Sequence, residues 1–185
     1  LVGSTGAGAR AVFALDVTSS PSLGGANVRW EKSNADDGDI GYVMAAPEVG
    51  VLSNGEWVMI FGNGYFSDTQ QAKLMIVKIS DGTIMKVPVG TAGSNGLGGV
   101  GLVRNDKGEI TRIYAGDLDG KVWRFDYDST ASSTGWFKVG LGGNELFSGA
   151  STKPISQPPA VYKHTNAAGG YLVVFGTGQL VTAAD

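Results

Sequence analysis

Three places in the 185-residue chain gather side chains that could do chemistry. Asp36-Asp37-Gly38-Asp39 sets three carboxylates within four residues, and oxygen ligands crowded into a short loop are what a hard cation such as calcium takes. Such a run reads first as a solvated loop, with a cation site at Asp36, Asp37 and Asp39 as the alternative. Asp117, Asp119 and Asp126 form a second acidic group. Asp117 and Asp119 flank an expected turn between strands, where an aspartate caps backbone amides, so their use is read as structural. His164 is the single histidine. It falls in a polar loop, Tyr162-Lys163-His164-Thr165-Asn166, and no Gly-x-Ser-x-Gly elbow supplies a nucleophile for it. No P-loop or dinucleotide fingerprint leads into a helix, and the glycine-dense stretch Gly93 to Gly101 is placed between strands. No catalytic residue is expected.

The elements that must position these residues are strands. Glycine accounts for 30 residues, without a collagen-like period and mostly beside apolar runs, while charged residues are only 17% of the chain. That balance suits many tight turns in an all-β fold and not a disordered chain. The net charge of −3 comes with no basic stripe, which leaves nucleic-acid binding without an electrostatic footprint. No transmembrane segment is legible, since no apolar run approaches the length of a membrane-spanning helix. The lack of cysteine excludes disulfides and thiolate chemistry. The chain opens at Leu1 with no signal-like segment and is expected to be a mature or excised piece of something longer.

A repeat runs along the chain. Ala46 to Val49, a turn at Ser53-Asn54-Gly55 and Trp57 to Phe61 end in Gly62-Asn63-Gly64. Gly99 to Val103, a turn through Asn105 to Gly108 and Ile110 to Tyr114 end in Ala115-Gly116-Asp117. Pro158 to Val161 and Tyr171 to Phe175 end in Gly176-Thr177-Gly178. A second hairpin follows each complete unit, Ala72 to Ile79 with Thr83 to Val89, and Lys121 to Tyr127 with Trp136 to Val139. The reading is a half blade at 1–35, blades at 42–90 and 97–140, and a half blade at 154–182. About twelve strands in about three blade equivalents, four antiparallel strands to a blade, make a modified β-propeller segment without helices. Such blades are stable only in an array. Trp30, Trp57, Trp123 and Trp136 are expected to fill the space between blades, with ligand stacking as the alternative.

Within this frame, Tyr114-Ala115-Gly116-Asp117-Leu118-Asp119-Gly120-Lys121-Val122-Trp123-Arg124-Phe125-Asp126 resembles the signature blade of the PilC/PilY family, the type IV pilus biogenesis factors and tip-associated adhesins. Supporting pieces keep the family order. They include Val12 to Val17, Ile40-Gly41-Tyr42, Ile60 to Tyr65, Asn95-Gly96-Leu97, Leu146-Phe147, Pro154 to Pro159 and Val174 to Gly178. The resemblance implies a C-terminal propeller that binds rather than catalyses. Its implied partners are pilins, minor pilins, other pilus-tip components and a host surface. Its implied place is extracellular, at the pilus tip or outer-membrane surface of a Gram-negative bacterium, in pilus extension, adhesion or twitching motility. A quinoprotein (PQQ-type) dehydrogenase propeller and an outer-membrane assembly scaffold are the competing readings.

Many members of the family carry a calcium loop, Asp-x-Asp-x-Asp-Gly-x-x-Asp, just before this signature. Aligning its glycine with Gly108 puts Val103, Asn105, Lys107 and Thr111 at the acidic positions, so every carboxylate is missing. The resemblance therefore does not carry calcium to this loop, which reads as a metal-free hairpin turn, and no cofactor is expected.

Overall fold

A computed structural model describes residues 1–18, 23–166 and 169–179. Among them are fourteen strands in four antiparallel sheets. The first sheet contains β1 (Val2–Ser4), β2 (Ala11–Leu15) and β3 (Val28–Ser33). The second is a meander of β4 (Glu48–Val51), β5 (Trp57–Gly62), β6 (Lys73–Lys78) and β7 (Ile84–Pro88). The third runs through β8 (Leu97–Arg104), β9 (Ile110–Asp117), β10 (Lys121–Tyr127) and β11 (Phe137–Val139), and β12 (Phe147–Ser148) also pairs with β10. β13 (Ala160–Lys163) and β14 (Tyr171–Val174) make the fourth.

The second sheet shows why continuous apolar runs become strands here. Successive strand residues point to opposite faces, so a run buried throughout needs a core on each side. Val58 and Ile60 of β5, with Leu74 and Ile76 of β6, enter a core shared with Ile113, Ala115, Trp123, Phe125 and Phe137 of the third sheet. The alternating residues Met59, Phe61, Met75 and Val77 enter another, with Val12, Ala14 and Trp30 of the first sheet. In the register, Ile60 opposes Ile76 and Met59 opposes Val77, so one alternation serves both cores. Burying each such side chain contributes about 2 kcal/mol. Sheets one, two and three are thus stacked in chain order. The fourth follows the third, with the Arg112 guanidinium 5.3 Å from the Tyr171 ring centre. This is the stacking of propeller blades, and the fold is all-β.

The backbone comes unusually close where the second and third sheets meet. A Cβ on Gly62 would lie 2.0 Å from the Gly98 carbonyl oxygen, and one on Gly96 would lie 2.1 Å from that of Gly64. Glycine is required at both positions because no side-chain atom fits between the chains.

Several details depart from the sequence reading. The opening unit has a third strand, β1, where two were expected, and the unit from 97 carries β12 beyond residue 140. β8 begins at Leu97, so Gly98 also lies inside the strand, ahead of the Gly99 to Val103 run read from the sequence. Trp136 precedes β11 in a left-handed conformation (φ 62°). Three short 3-10 turns occur, at Gly25–Asn27, Ser132–Thr134 and Leu141–Gly143, where no helical segment was expected. Parts of the terminal units, residues 19–22, 167–168 and 180–182, lie outside the described residues. No helix among the described residues is long and apolar enough to cross a membrane.

Candidate functional site

Two buried asparagines organise the junction between the second and third sheets. Asn63 follows β5, and its Oδ1 accepts the backbone N–H of Lys73 and of Leu97, each at 3.0 Å. Its Nδ2 donates to the carbonyls of Asp39 (3.1 Å) and Gln71 (2.9 Å). Asn95 repeats the device ahead of β8. Its Oδ1 accepts the N–H of Leu118 at 3.0 Å, and its Nδ2 donates to the carboxylates of Asp117 and Asp119, each at 3.1 Å. A carboxamide suits this role because it carries donors and acceptors together. In the sequence Asn63 reads as part of a glycine turn and Asn95 only as part of the family piece Asn95-Gly96-Leu97, and neither reading reveals their reach into neighbouring elements.

Asp117 is fully buried at the end of β9. Its Oδ1 accepts the Lys121 N–H at 2.8 Å, and its Oδ2 accepts the Trp123 indole N–H at 2.7 Å. Burial raises its pKa above the usual carboxylate range, against the hydrogen bonds from Trp123, Lys121 and Asn95, and the nearby Asp119 adds to the rise. Both oxygens accept from fixed donors, so this carboxylate ties the β9–β10 turn to the indole and to the Asn95 loop. The rest of the signature packs around it. Tyr114, Trp123 and Phe125 are buried, and the Leu118 N–H meets Asn95. Gly116 lies against Ile155, and Gly120 turns with φ 75° against the Ala150 carbonyl. Asp126 accepts from Arg124 through Nε and Nη2 (2.9 and 2.8 Å) and from Arg112 Nε (2.9 Å). Burial alone would raise the Asp126 pKa, but these two guanidiniums hold it below its ordinary value.

Asp36, Asp37 and Asp39 do not converge on a cation site, which corrects the alternative reading of that run. Asp36 Oδ2 caps Ser33, accepting its N–H at 2.8 Å and its hydroxyl at 2.9 Å. Asp39 is buried and takes the Lys73 ammonium, the Lys86 ammonium (2.7 Å) and the Thr69 hydroxyl (2.7 Å). Asp37 shares Lys86 at 3.0 Å. Burial alone would raise the pKa of Asp39, but the hydrogen bonds from Lys73, Lys86 and Thr69 outweigh it and hold the value at about 2. Two lysines from the second sheet thus supply the positive charge that a metal would bring. Among the described residues, no group of three or more histidine, aspartate or glutamate side chains is placed to hold a metal.

The donors of the 103–111 hairpin do not suit calcium. Asn105 Oδ1 accepts the N–H of Lys107 and of Glu109, each at 3.0 Å, while its Nδ2 donates to Glu109 Oε2 at 2.7 Å. The apolar Val103 side chain is buried and offers no oxygen, Lys107 is exposed, and the Thr111 hydroxyl donates to the Val103 carbonyl. The turn closes on its own side chains.

His164 is exposed, and its Nδ1 accepts the Asn166 N–H at 3.1 Å. Of the four tryptophans, Trp30 and Trp123 are buried between sheets, and Trp136 is half-buried under the Lys78 ammonium. Trp57 departs from its expected place between blades. It stands 56% exposed at the first position of β5.

Sheets stacked in chain order, backbones meeting at glycine, and polar latches between neighbouring sheets define a segment of a β-propeller. The chain belongs to the PilY1 β-propeller family, as the PilY1 beta-propeller domain matches residues 1–185. It is 36% identical over 204 residues to a type IV pilus biogenesis factor PilY1 homolog of Xylella fastidiosa, covering 100% of this chain and 14% of that protein. It is 34% identical over 205 residues to the type IV pilus biogenesis factor PilY1 of Pseudomonas aeruginosa strain UCBPP-PA14, covering 97% and 17%. The crystal structure of the Pseudomonas aeruginosa PilY1 C-terminal domain superposes with a TM-score of 0.87 at 33% identity, over 100% of this chain and 41% of that one. The chain spans less than a fifth of the length of these two pilus factors.

Proposed function

We propose that this chain is the non-catalytic scaffold of a type IV pilus biogenesis factor, a stiff propeller segment whose loops contact pilins, minor pilins or other pilus-tip components. Its place in this reading is the pilus tip or outer-membrane surface of a Gram-negative bacterium, where it supports pilus extension, and through it adhesion and twitching. The observation that carries the reading is the likeness to the PilY1 C-terminal domain over the whole chain. The Tyr42–Phe66 pair supplies a contact surface. The rings meet edge to face at 6.4 Å, Phe66 is half exposed with a left-handed φ of 58°, and Met44 is exposed two residues beyond Tyr42. A non-glycine residue held in that conformation costs about 1–3 kcal/mol and is typical of sites that present a side chain.

The test is surface piliation in a piliated bacterium whose own intact protein carries Phe66→Ala. Pilin recovered by shearing falls while cellular pilin and the level of the protein stay unchanged. Unaltered piliation in a strain lacking the protein altogether overturns the pilus reading.

A further inference from the structure

Trp57 does not fill the space between sheets, and its surroundings are those of a binding site. It lines a concave pocket of about 490 Å³ together with Arg29, Asn54, Glu56, Ile79 and Ser80. Both walls come from within the chain, Arg29 from β3 and the rest from the second sheet and its turns. The floor is held in place. The Trp57 carbonyl accepts the Ile79 N–H at 3.0 Å, and the Ile79 carbonyl accepts the Trp30 indole at 3.1 Å. The polar rim is also fixed. Glu56 accepts the Ser80 hydroxyl at 3.2 Å and lies 3.6 Å from Lys78, while its N–H is held by Asn54 Oδ1 at 3.0 Å. Arg29 is balanced by Asp16 at 3.6 Å.

We infer that this pocket binds a neutral sugar ring, stacked on Trp57 and hydrogen-bonded by Arg29, Asn54, Glu56 and Ser80. The chemistry selects the ligand. The apolar surface is one indole and one isoleucine, too little for the core of a protein interface. Around it stand donors (guanidinium, carboxamide) and acceptors (carboxylate, hydroxyl) with their charges paired off inside the protein, so no net charge is left to select an ion. A pyranose matches this surface. One face presents C–H groups to the indole, and its ring of hydroxyls both donates and accepts. The volume is within the range of small-molecule sites. This inference goes beyond the scaffold reading and does not depend on it.

The test uses the intact protein and a panel of neutral probes, the methyl glycosides of glucose, galactose, mannose and N-acetylglucosamine together with their β- and α-linked oligomers. Binding is read by saturation-transfer NMR and calorimetry. At least one saccharide binds, Trp57→Ala weakens it by about tenfold or more, Trp57→Tyr retains part of the affinity, and neither variant lowers the melting temperature, since the side chain is exposed. Failure of the whole panel to bind, or equal binding by Trp57→Ala, overturns the inference. Either result leaves the piliation test untouched.

Discussion

Asn63 Oδ1 accepts the Leu97 backbone N–H at 3.0 Å, a bond that spans 34 residues and crosses from the second sheet to the third. It joins the end of an inner strand of one blade to the start of the next, where Gly62 and Gly96 leave no room for side chains.

Removing the carboxamide leaves the N–H groups of Leu97 and Lys73 without their Oδ1 acceptor, and the carbonyls of Asp39 and Gln71 without their Nδ2 donor. Each orphaned buried group costs about 1–3 kcal/mol, so Asn63→Ala, which orphans four of them, lowers stability by about 4 kcal/mol or more in denaturant unfolding of the intact propeller. Asn54→Ala, in an exposed turn, costs less than about 1 kcal/mol.

Gly62→Ala forces a methyl onto the Gly98 carbonyl and gives protein that is insoluble or melts far below wild type. Gly24→Ala is the contrast. Its φ is −145° and nothing lies within 4 Å of the added methyl, so its melting temperature stays within a degree or so of wild type.

Much of this arrangement was legible in the residues. The alternation of Val58, Met59, Ile60 and Phe61 announced a strand with two buried faces, and the aromatic-then-glycine endings at Phe61 and Tyr114 fall at or near the ends of β5 and β9. β1 and β12 were missed because two or three residues carry no period. Asn63-Gly64 and Asn95-Gly96 look like any turn pair, and only the tertiary partners 22 to 34 residues away reveal them as latches. Asp36, Asp37 and Asp39 misled for the same reason, since the lysines that neutralise Asp37 and Asp39 come from β6 and β7. Trp57 resembled its buried counterparts because exposure at a strand's first position leaves no mark on residue type.

Acid should weaken the junction of the first two sheets. Asp39 is held at about 2, below the ordinary aspartate value, so its contribution is present above about pH 4 and is lost as the pH falls through 2. The contribution is about 2 kcal/mol. Denaturant titrations at pH 6 and pH 2.5 should show a smaller loss in Asp39→Asn than in wild type, with the variant less stable at pH 6.

Calcium should neither bind the 103–111 turn nor stabilise the protein through it. Calorimetric titration of calcium into wild type leaves that turn silent. A variant combining Val103→Asp, Asn105→Asp, Lys107→Asp and Thr111→Asp gains binding and a calcium-dependent rise in melting temperature. A calcium-dependent rise in wild type that Asn105→Ala abolishes would contradict the donor geometry of the turn.

The close backbone approach at Gly62 and Gly98 also bears on how order spreads along the chain. Each sheet is a meander of local hairpins, but its faces become dry only when the next sheet docks, so the unit that forms cooperatively is a pair of neighbours. Closure of the seam between the second and third sheets is then the step that couples the two halves of the chain. A lesion there splits one unfolding transition into two, whereas a lesion in the exposed fourth sheet frays one end and leaves the remainder to melt as before.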